Sequence, residues 1–299
     1  MAVIKVGFIG FGEVGPILAA ALVEGGAAVR VYDILLDRGH KDVLRARVRA
    51  CMGSGDGIRI VSLPELLKDS DLVLSTVTAQ VAEEVAAHCA PYLGAGQVYI
   101  DLNSTSPTVK QRVQAIVEPT GAGFVEGAIL GAIAATGAAT PILLTGAQAE
   151  AVAETLNGLG LDTRAYGVQV GNASMFKMLR SIFMKGIEAL ILECLVAGQR
   201  AGIAADLFAD IQRFMDERPF EQLASGWICS HAMAHERRYH EMLQVAETMG
   251  ELDLEPLMTE GTVAFLRRSG ELGFEDAFDA RPERLEEVVA FVEKRLRGG

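Results

Sequence analysis

Three groups of residues in this chain have types and spacings that could carry chemistry. The first is Gly10-Phe11-Gly12-Glu13-Val14-Gly15, followed at once by Pro16 and, 21 residues past Gly12, by Asp33. At this spacing Gly10 permits a tight turn, Gly12 lets an anion approach the backbone, and Gly15 lets a helix pack closely behind. The helix start offers N–H groups and a positive dipole end to a pyrophosphate. A carboxylate where Asp33 stands accepts hydrogen bonds from a ribose and repels a 2′-phosphate, although Arg38 and Lys41 follow closely enough to hold one. The expectation is a dinucleotide cofactor, NAD in preference to NADP. The second group is Thr76-Val77-Thr78 together with Asn103 and Ser104 in Asp101-Leu102-Asn103-Ser104-Thr105-Ser106-Pro107. These small hydroxyls and one amide could orient a nicotinamide ribose or a substrate oxygen; alternatively Ser104 or Thr105 caps the helix that Pro107 opens. The third is 167–202, where a glycine-punctuated turn opens a long helical pattern and interleaves Lys177, Arg180, Lys185 and Glu188 with apolar residues.

The elements that must position these groups follow from periodicity. Apolar runs at 3–9, 28–32, 58–61, 72–77, 97–102, 124–129, 142–145 and 161–165 read as strands. Helical patterns run from Pro16 to the pair Gly25-Gly26 and over 40–52, 79–92, 107–117 and 147–156, with a helical turn at 63–67. Between them, 131–140 is a run of small residues where backbone can approach a ligand. Parallel strands joined by helices predict a doubly wound Rossmann-type sheet whose ligand crevice lies at the carboxyl ends of the strands, where the first two groups fall. Everything beyond Gly202 reads as helix, broken at Arg218-Pro219, Gly250 and Pro256, with Thr259 as a cap and a last helix over 282–297. The fold class is therefore α/β then all-α, with a dinucleotide-binding domain at 1–166 and a helical substrate and oligomerisation domain at 167–299. A helix at that junction would turn its polar face, and Lys177 with it, to the cleft between the halves.

Composition bounds the partners. The chain has 299 residues, half of them hydrophobic, and a net charge of −12, which disfavours nucleic acid or an anionic membrane as a partner. A small molecule is the expected ligand. Cys51, Cys89, Cys194 and Cys229 are far apart with no metal-ligand spacing, as suits reduced thiols in a cytoplasmic protein. The first residues run straight into a strand and a glycine turn, unlike a signal peptide, and the apolar stretch 182–197 carries Lys185, Glu188 and Glu193, unlike a membrane span. His231 and His235 share a helix face in the polar cluster 230–241, but with no carboxylate on that face no metal is expected. A domain or dimer contact, with Arg238 or His240 reaching the cleft, is the better reading of that cluster.

Taken in order, GFIGFGEVG, DLNSTSP, FVEGA with its Gly/Ala-rich sequel, and GVQVGNASMFK opening a long helix resemble the β-hydroxyacid dehydrogenase superfamily, over roughly residues 3–200. That group includes 3-hydroxyisobutyrate, tartronate semialdehyde and 6-phosphogluconate enzymes. The resemblance implies NAD(P)-dependent interconversion of a hydroxyl and a carbonyl, with Lys177 as acid/base group and a homodimer or higher homo-oligomer. Such an amine must be neutral to take the hydroxyl proton, so its pKa must fall well below ~10.4. Burial or the neighbouring Arg180 would push it that way.

The chain departs from the family at two places. The usual asparagine one turn after the lysine is Ser181, and the Ser-Gly-Gly turn that binds a substrate carboxylate is Leu130-Gly131-Ala132. Arg180 is the candidate replacement anion anchor, and Leu130 suggests a bulkier or more apolar substrate group. Two rivals stay open: imine reduction, which relatives usually lacking the lysine perform, and nucleotide binding or sensing without catalysis.

Overall fold

Apolar runs rich in valine, isoleucine, leucine and phenylalanine become strands because side chains that branch or spread near the backbone pack well on a pleated surface buried on both sides. The computed structural model describes residues 3–52 and 57–298. In chain order the elements are β1 (Lys5–Ile9), α1 (Val14–Glu24), β2 (Ala28–Tyr32), α2 (Ile34–Asp37), α3 (Lys41–Met52), β3 (Ile58–Ile60), α4 (Leu63–Lys68), β4 (Leu72–Ser75), α5 (Ala82–Cys89), β5 (Val98–Asp101), α6 (Pro107–Val117), β6 (Gly123–Ile129), α7 (Ile133–Thr136), β7 (Ile142–Thr145), α8 (Ala149–Gly158), β8 (Thr163–Ala165), α9 (Asn172–Ala201), α10 (Ala204–Asp216), α11 (Phe220–Glu251), α12 (Leu257–Gly270) and α13 (Leu285–Leu296). No described helix is long and apolar enough to cross a membrane.

The eight strands form one sheet in the order β3-β2-β1-β4-β5-β6-β7-β8. Its order reverses between β1 and β4, the place where a doubly wound sheet opens a crevice at its carboxyl edge. The sheet is parallel except at β6 and β7, which pair antiparallel. The small-residue connection between them carries only the single turn of α7 and a 3-10 turn, not the crossover helix that a parallel return requires.

Alternation along each strand splits the core into two. Val6 and Phe8 of β1, Leu74 of β4 and Ile100 of β5 pack with Leu18 and Leu22 of α1 and Leu156 of α8 on one face. On the other, Ile9, Val73 and Tyr99 pack with Leu66 of α4, Ala86 of α5 and Val113 and Val117 of α6. This second face carries a row of polar residues at its carboxyl edge. Ser75, Asp101, Glu126 and Thr145 stand side by side across β4, β5, β6 and β7, and all four are fully buried. Buried polar groups cost several kcal/mol each unless paired, so the row demands partners, and they lie in the candidate site.

Packing divides the chain into two compact units, Met1–Ile182 and Phe183–Gly299. The expected division at 166/167 marks the end of the sheet; by packing, the first turns of α9, Lys177 included, belong with the sheet. Within the second unit, Phe274 is fully buried against the rings of His231, His235, Phe278 and Phe291. Thr259 is not the cap of α12 but its third residue. The Glu193 carboxylate does the capping, accepting from Met258 N at 2.7 Å, Thr259 N at 2.9 Å and Thr259 Oγ1 at 2.8 Å.

Candidate functional site

The turn between β1 and α1 has the shape its glycines require. Gly10 has φ +84°, and a Cβ there would lie 2.8 Å from the Thr76 carbonyl oxygen. At Gly15 a Cβ would lie 2.9 Å from the Gly10 carbonyl oxygen, whereas at Gly12 it would meet nothing within 4 Å. Two glycines are therefore fixed by packing and the middle one by nothing inside the protein; Gly12 faces open space at the start of α1. That is the cradle a pyrophosphate fits, since any side chain there would occupy it. Glu13 is exposed beside Gly12, and Val14 opens α1. Pro16 costs the helix nothing, because first-turn N–H groups have no helical partner.

Three side chains hold this turn. Asp33 Oδ2 accepts from Phe11 N at 2.7 Å, and its Oδ1 accepts from Leu35 N at 3.0 Å, capping α2. Thr76 Oγ1 donates to the Gly10 carbonyl at 2.7 Å, which ties β4 to the turn. Arg47 on α3 donates to the Phe11 carbonyl at 2.9 Å; sequence reading passed over it among the other basic residues of that helix. Phe11 itself is fully buried and anchors the loop.

At the edges of β4 and β5, Asn103 Oδ1 accepts from Val77 N at 2.7 Å and Asn103 Nδ2 donates to Ser75 Oγ at 2.9 Å. Its amide thus braces the two strand ends. Ser104 is exposed, as is Thr78 at the mouth beside Val77. The cap of α6 is Ser106, which accepts from Val109 N at 3.3 Å, and neither Ser104 nor Thr105 takes that part.

Ser75 of the buried polar row is met by Asn103; its other members are held by Lys110 and by Glu126 itself, two residues that sequence reading missed. Lys110 of α6 is fully buried; its Nζ donates to the Asp101 carbonyl at 2.7 Å and lies 3.2 Å from Asp101 Oδ1. Glu126 accepts from Thr145 Oγ1 at 2.6 Å, from Gly171 N at 2.5 Å, from Ser174 N at 2.7 Å and from Ser174 Oγ. One carboxylate therefore fastens the opening of α9 to the sheet. Signals for both were present: a lysine at the i position of the apolar i, i+3, i+7 stripe Lys110, Val113, Val117, and an acid inside the buried strand GFVEGAI.

Lys177 follows Ser174 by three residues on α9 and is half-buried. Burial first, and then the positive charge of Lys110, pull its amine below the ordinary lysine value. The like charge is not that of Arg180, as expected from sequence, since Arg180 is exposed. Ser181 Oγ donates to the Lys177 carbonyl at 2.9 Å. Leu130 packs with Ala128, Leu143, Ala173 and Phe176, and Gly131 is exposed next to it. Lys177, Asn103, the glycine turn and Asp33 thus all belong to the sheet unit. Within the second unit, His231 Nε2 lies 3.0 Å from Ser269 Oγ, His235 Nδ1 lies 3.3 Å from the His231 carbonyl, and Arg238 donates to Ser230 at 2.7 Å. A shallow groove of about 560 Å³ lined by Lys5, Asp69, Asp71 and Gln97 lies at the amino ends of the strands, away from this chemistry.

Comparison with known proteins agrees with this geometry. The family described as the NAD binding domain of 6-phosphogluconate dehydrogenase matches residues 5–161, and a domain of unknown function matches residues 199–269. A conserved protein of unknown function, whose solved structure has structural similarity with 3-hydroxyacid dehydrogenases, is 30% identical, with 92% of this chain and 98% of that one covered and a TM-score of 0.60. The 2-(hydroxymethyl)glutarate dehydrogenase of Eubacterium barkeri is 25% identical over 70% of this chain and 68% of its own. An imine reductase variant from Myxococcus stipitatus in complex with NAD+ has the same fold, with a TM-score of 0.77 at 18% identity over 97% of this chain and all of that one. With an NAD-binding domain over more than half its length, the chain belongs to the β-hydroxyacid dehydrogenase superfamily.

Proposed function

We propose that the protein is an NAD(P)-dependent oxidoreductase that interconverts a hydroxyl and a carbonyl on a small hydroxy acid, with Lys177 moving the proton. The observation that carries this reading is the half-buried Lys177 amine, drawn below the ordinary lysine value, on a helix whose first turn Glu126 fastens to the sheet. The nicotinamide, when bound, supplies or accepts the hydride. Gly10, Gly12, Gly15 and the start of α1 would hold the pyrophosphate, Asp33 the adenosine ribose, and Thr76, Val77, Thr78 and Asn103 the wall toward the nicotinamide. In reduction, the Lys177 ammonium donates a proton to the carbonyl oxygen; in oxidation, the neutral amine takes the hydroxyl proton. Ser104 and Ser181 would orient the reacting oxygen, Ser181 through its remaining lone pairs. Exposed Arg180 would anchor a carboxylate, and Leu130 with Gly131 would face the carbon chain.

The dehydrogenase of Eubacterium barkeri acts on a carboxylic acid bearing a hydroxymethyl group, which supports a hydroxy acid as substrate class. A second reading, imine reduction, is favoured by the fold likeness to an imine reductase and by the apolar Leu130 where a polar turn residue would bind a carboxylate. Titration with NADH and NADPH, followed by a panel of hydroxy acids, semialdehydes and cyclic imines, separates them. Turnover of a hydroxy acid supports the first reading, turnover of imines alone the second, and tight nucleotide binding without turnover a sensing protein. We also read the chain as a cytoplasmic homo-oligomer, because all four cysteines are unpaired thiols and the helical unit exposes Leu192, Ile203, Phe208 and Phe265, each at least 48% accessible.

A further inference from the structure

Arg47 of α3 is fastened to the glycine turn, and no acid answers its charge. Its Nη1 donates to the Phe11 carbonyl at 2.9 Å. The nearby Arg45 is paired with Asp42 at 3.2 Å, whereas Arg47 makes no ion pair among the described residues. The Phe11 oxygen and the Gly12 nitrogen share one peptide carbon, so Arg47 Nη1 stands within about 5.5 Å of Gly12 N. Gly12 is the glycine at which a Cβ would meet nothing within 4 Å.

Propping a carbonyl takes one neutral donor. A guanidinium brings five, in a rigid fork, and a permanent charge. Half-burying such a group costs desolvation that a single main-chain carbonyl does not return. The turn also needs a cation, because the charged side chains placed on it by the sequence are acids: Glu13, exposed beside Gly12, and buried Asp33, which holds the Phe11 N–H. Both repel an anion that comes to the start of α1. Arg38 and Lys41 are exposed, and of the basic residues that follow β2 it is Arg47 that is hydrogen-bonded to the turn.

We propose that Arg47 is a cofactor-binding residue whose guanidinium, steadied on the Phe11 carbonyl, recognises a phosphate group of the dinucleotide. This rests on the placing of the cofactor at Gly12 in the proposed function. Two sources offer that chemistry, the pyrophosphate that both nucleotides carry and the 2′-phosphate that NADPH alone carries.

The test reads binding, not turnover. NADH and NADPH are titrated by fluorescence into the wild type and Arg47→Met over a series of KCl concentrations. At low salt Arg47→Met should bind about tenfold more weakly or worse, as fits the loss of a charge-assisted hydrogen bond. The wild-type affinity should fall with salt more steeply than that of the variant, because the charge that salt screens is gone from the variant. An equal loss for both nucleotides assigns the pyrophosphate, and a loss confined to NADPH assigns the 2′-phosphate. A residue that only props the turn would weaken binding without changing the salt slope, so a loss at wild-type slope overturns the proposal, as does unchanged affinity for both nucleotides. Should Arg47→Met fail to fold, Arg47→Gln, which keeps a donor and drops the charge, is read by the same slope. Wild-type protein that binds neither nucleotide overturns the placing of the cofactor and the proposed function with it, whereas variants that bind like a binding wild type overturn this inference alone.

Discussion

At the scale of single residues, the glycine turn separates packing from binding. Alanine at Gly10 would carry φ +84° and a Cβ 2.8 Å from a carbonyl oxygen, a strain of ~1–3 kcal/mol, so Gly10→Ala should lower both the melting temperature and cofactor affinity. Valine at Gly12 enters open space. Gly12→Val should therefore melt within a degree or two of wild type while NADH and NADPH binding is lost, as thermal shift with and without nucleotide would read; a Gly12→Val protein that still binds would place the cofactor elsewhere. The direction of the Lys177 shift also fixes a sign. Oxidation needs the neutral amine, so its kcat/KM should rise with pH and level off below the ordinary lysine range near ~10.4, whereas kcat/KM for reduction should fall through the same midpoint. A midpoint in the same place in both Lys177→Arg and wild type would assign the profile to another group.

At the scale of elements, the buried row across β4 to β7 joins the fold to the site. Glu126 accepts two main-chain N–H groups and two hydroxyls, and glutamine would turn its own donors toward some of them. Breaking such a buried charged partner costs ~3 kcal/mol or more. Glu126→Gln should shift the denaturation midpoint accordingly, with hydrogen exchange at Gly171 and Ser174 speeding up; Thr145→Val, which removes one donor only, should cost less. Equal midpoints for Glu126→Gln and wild type would contradict the cap. The strands and helices that surround this row were legible in the sequence, because apolar period and glycine or proline punctuation are local signals: 107–117 and 142–145 were bounded correctly. The antiparallel β7 was not, since pairing direction depends on whether a connection can cross the sheet. Lys110 and Glu126 were also missed as site residues, because a charge on an apolar stripe reveals its role only when its partner strand is known. Conversely, Asn103 was read as facing a ligand, yet much of its amide is engaged with Val77 and Ser75.

For the molecule taken unit by unit, the helical unit has its own pH dependence. His231 is pushed down to about 4, chiefly by burial and then by His235 and Arg238. Its folded value lies below the unfolded one near ~6.5, so the unfolded chain binds the proton first, and stability is full above ~6.5 and declines as pH falls toward 4. His231→Phe should flatten that decline in acid denaturation; an unchanged slope would show that other groups titrate. The exposed apolar residues of this unit predict a mass of at least twice the 31.9 kDa chain in light scattering, and a monomer at micromolar concentration would contradict self-association. What the sheet unit does is tested most directly by comparing wild type with Lys177→Ala for NADH and NADPH affinity and for turnover of the best substrate in the hydroxy acid and carbonyl panel. Nucleotide affinity within about threefold and a turnover loss of ~10²–10⁴ is the result predicted for a proton-transferring lysine, whereas unchanged turnover would contradict the assignment of Lys177.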